Sequence, residues 1–123
     1  MEIRYIRDWA NGSSLDGRSF WAEMSAYKDG VNVALGKPCT ADDPQYTPDE
    51  MLSVTDGDTD SWVYFPTMGL HYIQVDLGAI QDIEEIKIWH YIGDPRTFYE
   101  TKTEVSTNGT DWIPIFDSAI EGT

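Results

Sequence analysis

The run Asp56-Gly57-Asp58-Thr59-Asp60-Ser61-Trp62 sets three carboxylates at alternate positions, with a hydroxyl directly after the last. Carboxylates this close repel one another unless water or a cation screens them. Hard oxygen donors without thiolates or clustered imidazoles suit calcium better than zinc. The run is not an EF-hand loop. That loop needs Gly at its sixth position and Glu at its twelfth, and here those positions hold Ser61 and Thr67. The same residues also suit an Asp-rich turn with solvated carboxylates. Spacing alone leaves both readings open.

A second group lies in His90-Tyr91-Ile92-Gly93-Asp94-Pro95-Arg96-Thr97-Phe98-Tyr99. It brings an imidazole, a guanidinium and aromatic rings together between two strand candidates. Sugar binding uses this mixture: a ring face packs on the C–H face of a pyranose, and planar donors hydrogen-bond its hydroxyls. The plainer alternative is a hairpin loop. Gly93-Asp94-Pro95 would make the turn, Phe98 and Tyr99 would enter the core, and Arg96 would pair with a carboxylate.

Catalytic spacing is poor. The sequence has no Gly-x-Ser-x-Gly, P-loop, Gly-x-Gly-x-x-Gly or His-Glu-x-x-His. Ser25-Ala26-Tyr27-Lys28 matches Ser-x-x-Lys, but it falls in an alternating strand and lacks the companion motifs. With 22 acidic residues in the chain, a pair suited to glycoside hydrolysis arises by chance and carries no signal. Asn11-Gly12-Ser13 and Asn108-Gly109-Thr110 fit the glycosylation pattern and read better as turns.

These groups sit in a chain of 123 residues with 8 Lys+Arg against 22 Asp+Glu, a net charge of -14. Hydrophobic residues make up 41% and aromatics 13%, enough for one core and too much for a disordered acidic tail. The charge disfavours nucleic acid and anionic membrane surfaces as partners. It is also uneven: from Pro38 through Ile86 there is no Lys or Arg, yet that stretch holds 11 of the acids. The one cysteine, Cys39, excludes an internal disulfide and a thiolate zinc site. No apolar stretch approaches the ~20 residues of a membrane span. The first residues lack the apolar region of a signal peptide. Work outside a cell would then imply release by lysis, in a phage particle, or within a larger parent chain.

The elements that must position these groups follow a period of two. Ile3–Arg7, Trp21–Tyr27, His71–Leu77, Ile86–Tyr91, Thr101–Ser106 and Trp112–Phe116 read as strands. In the third, Ile73, Val75 and Leu77 point inward and Tyr72, Gln74 and Asp76 outward. Asn108-Gly109 predicts a type I′ hairpin pairing 101–106 with 112–116. No segment carries a sustained helical stripe. Lys37–Ser61 reads as one long loop, and loops of that length in small domains are usually functional. Short strands joined by Gly, Pro and Asp loops predict a β-sandwich.

The chain resembles the discoidin-like modules, also called coagulation-factor type C domains. The similar blocks run in order: Asn32-Val33-Ala34-Leu35-Gly36-Lys37-Pro38, then Val54-Thr55-Asp56-Gly57-Asp58 with Trp62, then Tyr72-Ile73-Gln74-Val75-Asp76-Leu77-Gly78. Ile86-Lys87-Ile88-Trp89-His90-Tyr91 follows with Arg96 and Tyr99, and Glu104 through Trp112 closes the series. Together they cover about residues 31–117. Ile3-Arg4-Tyr5-Ile6-Arg7 and Trp21 through Tyr27 resemble the family's closing strands, which here come first. Two explanations fit: a circularly permuted module spanning 1–123, with 1–28 supplying the closing strands, or a slice across tandem modules. The permuted reading is favoured, because a sandwich without residues 3–27 would lack core strands.

The resemblance implies an all-β, galactose-binding-like jelly-roll sandwich that is non-catalytic and binds carbohydrate. It implies a structural calcium held at positions matching Asp56, Asp58, Ser61 and Glu23. It implies a sugar site at one end, with His90 and Arg96 recognising hydroxyls and Tyr64, Trp62 and Tyr99 as stacking rings. The wording is most similar to modules of phage structural and bacterial surface proteins. The expected role is therefore attachment of a virion or extracellular protein to cell-surface glycans, without membrane insertion. The alternative is a virion decoration domain that uses the same fold for contacts with other virion or surface proteins.

Overall fold

A computed structural model describes residues 1–12, 19–42, 47–58, 62–64, 69–90 and 101–117. Ten strands are present among them: β1 (Glu2–Ala10), β2 (Phe20–Trp21), β3 (Glu23–Lys28), β4 (Val31–Asn32), β5 (Cys39–Ala41), β6 (Val63–Tyr64), β7 (His71–Asp82), β8 (Glu85–Trp89), β9 (Lys102–Ser106) and β10 (Ile113–Asp117). A single helical turn, α1 (Pro48–Met51), runs into a 3₁₀ turn at Leu52–Val54. The strands form a five-stranded sheet in the order β10-β9-β1-β7-β5, a three-stranded sheet β4-β3-β8 and a short pair β2-β6. All pairings are antiparallel. The architecture is an all-β, galactose-binding-like sandwich.

The alternation seen in the sequence sets the core. Ile73, Val75 and Leu77 of β7 are buried beside Ile3, Ile6 and Ala10 of β1 and Val105 of β9. Met24 and Ala26 of β3 join the same cluster, with Ile86 and Ile88 of β8 packed against it. Each large aliphatic side chain buried in this way contributes about 1.5–3 kcal/mol. β3 is buried on both faces: Glu23 and Ser25 are each 2% exposed although they alternate with Met24 and Ala26. Strict alternation of polarity therefore does not map onto exposure in this strand.

β1 pairs with β7 on one side and β9 on the other, so the first strand of the chain lies in the middle of the larger sheet. On the outer face its Arg7 lies 4.0 Å from the rings of both Tyr72 and Trp112. Both Nε and Nη2 of Arg7 donate to Gln74 Oε1. The guanidinium thus ties β1, β7 and the approach to β10 together, using the stacking that Arg provides and Lys does not.

Two expectations need correction. The β9–β10 connection is not a type I′ turn. Six residues, Thr107–Trp112, separate the strands, and only Gly109 among them has positive φ, at 79°. The loop is instead organised by Ser106 Oγ and Asn108 Oδ1, which accept backbone N–H groups of 108 and 109 and of 110 and 111 respectively. The I′ requirement is met at Asp29 and Gly30, with φ of 51° and 78°, in the two-residue link between β3 and β4. The stretch Lys37–Ser61 is also not one loop. It carries β5, α1 and the 3₁₀ turn. Thr47 and Glu50 form a reciprocal capping box, Thr47 N to Glu50 Oε1 at 2.8 Å and Glu50 N to Thr47 Oγ1 at 3.2 Å. Met51 and Val54 then drop into the core.

Candidate functional site

His90 stands just beyond the end of β8, and its Nε2 lies 2.7 Å from Asp8 Oδ2. Asp8 faces inward from β1, between Ile6 and Ala10, and is 2% exposed. Burying a carboxylate is costly unless its oxygens are hydrogen-bonded. Here the indole N–H of Trp21 donates to Oδ2 at 2.8 Å, and the Thr103 hydroxyl donates to Oδ1 at 2.8 Å. The Trp21 ring meets the His90 ring edge-on, 5.6 Å between centroids. Four strands or strand ends therefore converge on one carboxylate.

The aromatic candidates adjoin this cluster. β2 pairs with β6, setting Phe20 opposite Tyr64 and Trp21 opposite Val63. The Phe20 and Tyr64 rings stack with centroids 5.5 Å apart and planes 28° apart. Trp62 enters β6 and is 47% exposed. Tyr64 and His90 are thus linked through Phe20 and Trp21, and Trp62 directly precedes β6. Arg96 and Tyr99 lie outside the described residues.

The sequence reading missed Asp8, Trp21 and Thr103 in this cluster. A signal for Asp8 was present. A period of two running from Ile6 puts Ile6, Asp8 and Ala10 on one inward face, and a charge at such a position needs partners.

The cation candidates sit elsewhere, against β3. Glu23 Oε2 accepts the backbone N–H of Gly57 at 3.0 Å. Its other oxygen, Oε1, is buried without a hydrogen-bond partner, as is the hydroxyl of Ser25 two residues along. Burial pushes the Glu23 carboxyl up to about 7 against the opposing pull of the Gly57 N–H, and the charge of Asp56, a hydrogen bond that protonated Glu23 shares with the Asp56 carboxylate, and the charge of Asp58 add to the rise. Gly57 has φ of 83°, and a Cβ there would come within 3.3 Å of the Leu35 side chain. This position therefore favours glycine, which lets the loop bring its N–H to Glu23. Asp58 N donates to Asp56 Oδ1 at 2.8 Å, an Asx turn. The turn reading of the acidic loop is thereby met at Asp56–Asp58. Among the described residues no three His, Cys, Asp or Glu side chains gather closely enough to form a ready metal cage. Ser61 lies outside the described residues.

No curated protein and no solved structure gives a significant match to the chain. A family model of the F5/F8 type C group, described as NedA-like, galactose-binding domain, matches residues 53–123. That range holds the acidic loop, Trp62, Tyr64, β7, His90 and the β9–β10 hairpin. With more than half its length matched, the protein belongs to the NedA-like galactose-binding domain family.

Proposed function

We propose that this chain is a non-catalytic carbohydrate-binding module, braced by calcium beside Glu23, that fixes an extracellular protein or a virion to cell-surface glycans. The observation that carries the reading is the galactose-binding family match across the segment that contains Trp62, Tyr64 and His90. The wiring of Asp8 agrees with a binding role. A nucleophilic triad needs a hydroxyl that donates to the imidazole, whereas the Thr103 hydroxyl donates to the carboxylate. Asp8 instead fixes the His90 ring from below, and a fixed imidazole suits recognition of a sugar hydroxyl.

Calcium is supported by the chemistry of the donors. Glu23 and Asp56 would hold it, with Asp58 beside them and backbone carbonyls completing a flexible oxygen shell. The orphaned Glu23 Oε1 and the mutual repulsion of the three acids are what a divalent cation relieves. Bound calcium would supply charge compensation and join the 56–58 turn to β3.

Residues 1–28 belong to the same unit on this reading. β1 in the centre of one sheet and β3 in the centre of the other are what a circular permutation of the family order requires.

A glycan array followed by titration with galactose tests the proposal. The expected result is saturable binding, at least tenfold weaker in Trp62→Ala and in Tyr64→Ala, with cooperative melting retained in both variants. An array without a positive glycan, from a chain that still binds particles, would replace the sugar reading with that of a protein-contact domain.

A further inference from the structure

The two sheets leave one side of the sandwich open. β8 ends the three-stranded sheet and β10 ends the five-stranded one. Between them runs a cleft of about 460 Å³, lined by Ile86 and Ile88 of β8, Ile115 and Phe116 of β10, and Asp8 and His90 of the cluster described above. Ile115 and Phe116 are 41% and 39% exposed. Among the described residues β8 pairs with β3 alone and β10 with β9 alone. Among those residues nothing else pairs with the outer edge of either strand, which carries a row of backbone donors and acceptors.

The two edges are not equivalent. β10 contains Pro114, which has no N–H, and its register shifts between Pro114 and Phe116. Proline and irregular register are the devices that stop a further strand from adding. β8 has no proline and a continuous register from Glu85 to Trp89. Its one basic residue, Lys87, lies 5.3 Å from the centroid of the Tyr27 ring and 3.8 Å from Glu85 Oε1. Glu84 and Glu85 line the cleft beside Met1, whose ammonium is held by Asp82, and the chain as a whole carries -14.

We infer that β8 is an acceptor edge for an extended basic segment of a partner protein, which adds as a fourth strand and fills the cleft with alternate apolar side chains. Backbone pairing supplies the affinity in such strand addition, and the pockets for alternate side chains supply selectivity. The charge selects the partner: a second copy would bring another -14 to the same edge, whereas a basic strand meets a complementary field. The cleft shares His90 with the site of the proposed function, but strand addition to β8 does not depend on sugar binding there.

The probe is a capped heptapeptide alternating valine and lysine, titrated into the full chain at low salt and followed by calorimetry and backbone amide shifts. The expected result is saturable binding, with shifts centred on residues 85–89. A valine–glutamate peptide should bind at least tenfold more weakly. Two further peptides carry N-methyl groups on the valines or on the lysines, and at least one of them should lose binding tenfold. Retention by both would overturn strand addition. Shifts confined to β10, no saturable binding, or a free chain that already dimerises through β8 in sedimentation would each overturn the inference as well.

Discussion

Asp8 and Glu23 are both carboxylates at 2% exposure, on strands from opposite sheets, and they are built in opposite ways. Asp8 receives Trp21 Nε1, Thr103 Oγ1 and His90 Nε2 on its two oxygens. Glu23 receives one backbone N–H and keeps an oxygen with no partner. A complete hydrogen-bond set makes a buried charge into a pin that fixes neighbouring strands. An incomplete set leaves a charge whose desolvation is uncompensated, so the site gains from a proton or a cation. The difference between the two is therefore one of hydrogen-bond completeness at equal burial.

The coarsest test removes both at once. Deleting residues 1–28 takes away β1, β2 and β3, hence Asp8, Trp21 and Glu23 together. The expected outcome is loss of any cooperative thermal transition. A truncated chain that still melts cooperatively would show that the N-terminal strands are additions to a self-sufficient sandwich, and would end the permutation reading.

Asp8→Ala should be the most damaging of the single substitutions. It strands an indole N–H, a hydroxyl and an imidazole in the interior, at a cost of about 3–5 kcal/mol. Urea unfolding measures it, with the slope checked for constancy. A loss below about 1 kcal/mol would mean that Asp8 is no pin, and the contrast with Glu23 would collapse.

Glu23→Gln should act with the reverse sign in chelated buffer. Removing the charge relieves the desolvated carboxylate, so the metal-free variant should be as stable as the parent or more so. Calcium should raise the parent's melting point, since a ligand of the folded state at a hundred times its Kd contributes about 2.7 kcal/mol. The same addition should leave Glu23→Gln nearly unmoved. A parent whose midpoint ignores calcium and chelator alike would remove the metal from the account.

How much of this pair could be read from the sequence shows where sequence reading reaches its limit. Ile73, Val75 and Leu77 were legible because a period of two is a local property, and their burial follows it. Glu23 was legible only through resemblance, because its partner Gly57 is 34 residues away. Asp8 went unread because its three partners stand 13, 82 and 95 residues along the chain. No local pattern announces them. Asn108-Gly109 misled for a related reason: the dipeptide tolerates positive φ, but the six-residue separation of β9 and β10 relaxes the need for it.

The pH dependence separates Glu23 from a third carboxylate that is neither pin nor vacancy. In metal-free protein the folded-state carboxyl of Glu23 stands near 7 against 4.5 in the unfolded chain. Between those values the folded state holds a proton that the unfolded state has released, so stability falls as pH rises. Calcium bound at Glu23 would displace that proton and flatten the slope, as should Glu23→Gln.

Asp76 on the outer face tests the opposite sign at the smallest scale. Arg4 Nε lies 2.9 Å from Asp76 Oδ1, and this hydrogen bond, more than the Gly78 N–H, holds the Asp76 carboxyl below its ordinary value of 3.8. Its contribution is present above 3.8 and is lost as pH falls below it, a window that does not overlap that of Glu23. Both partners are about one-third exposed, so water and salt screen the pair. Asp76→Asn should lower the midpoint by about 2 °C or less at neutral pH, and by still less in 1 M salt. A shift as large as that of Asp8→Ala would show that hydrogen-bond completeness, and not burial, sets the worth of a carboxylate in this sandwich.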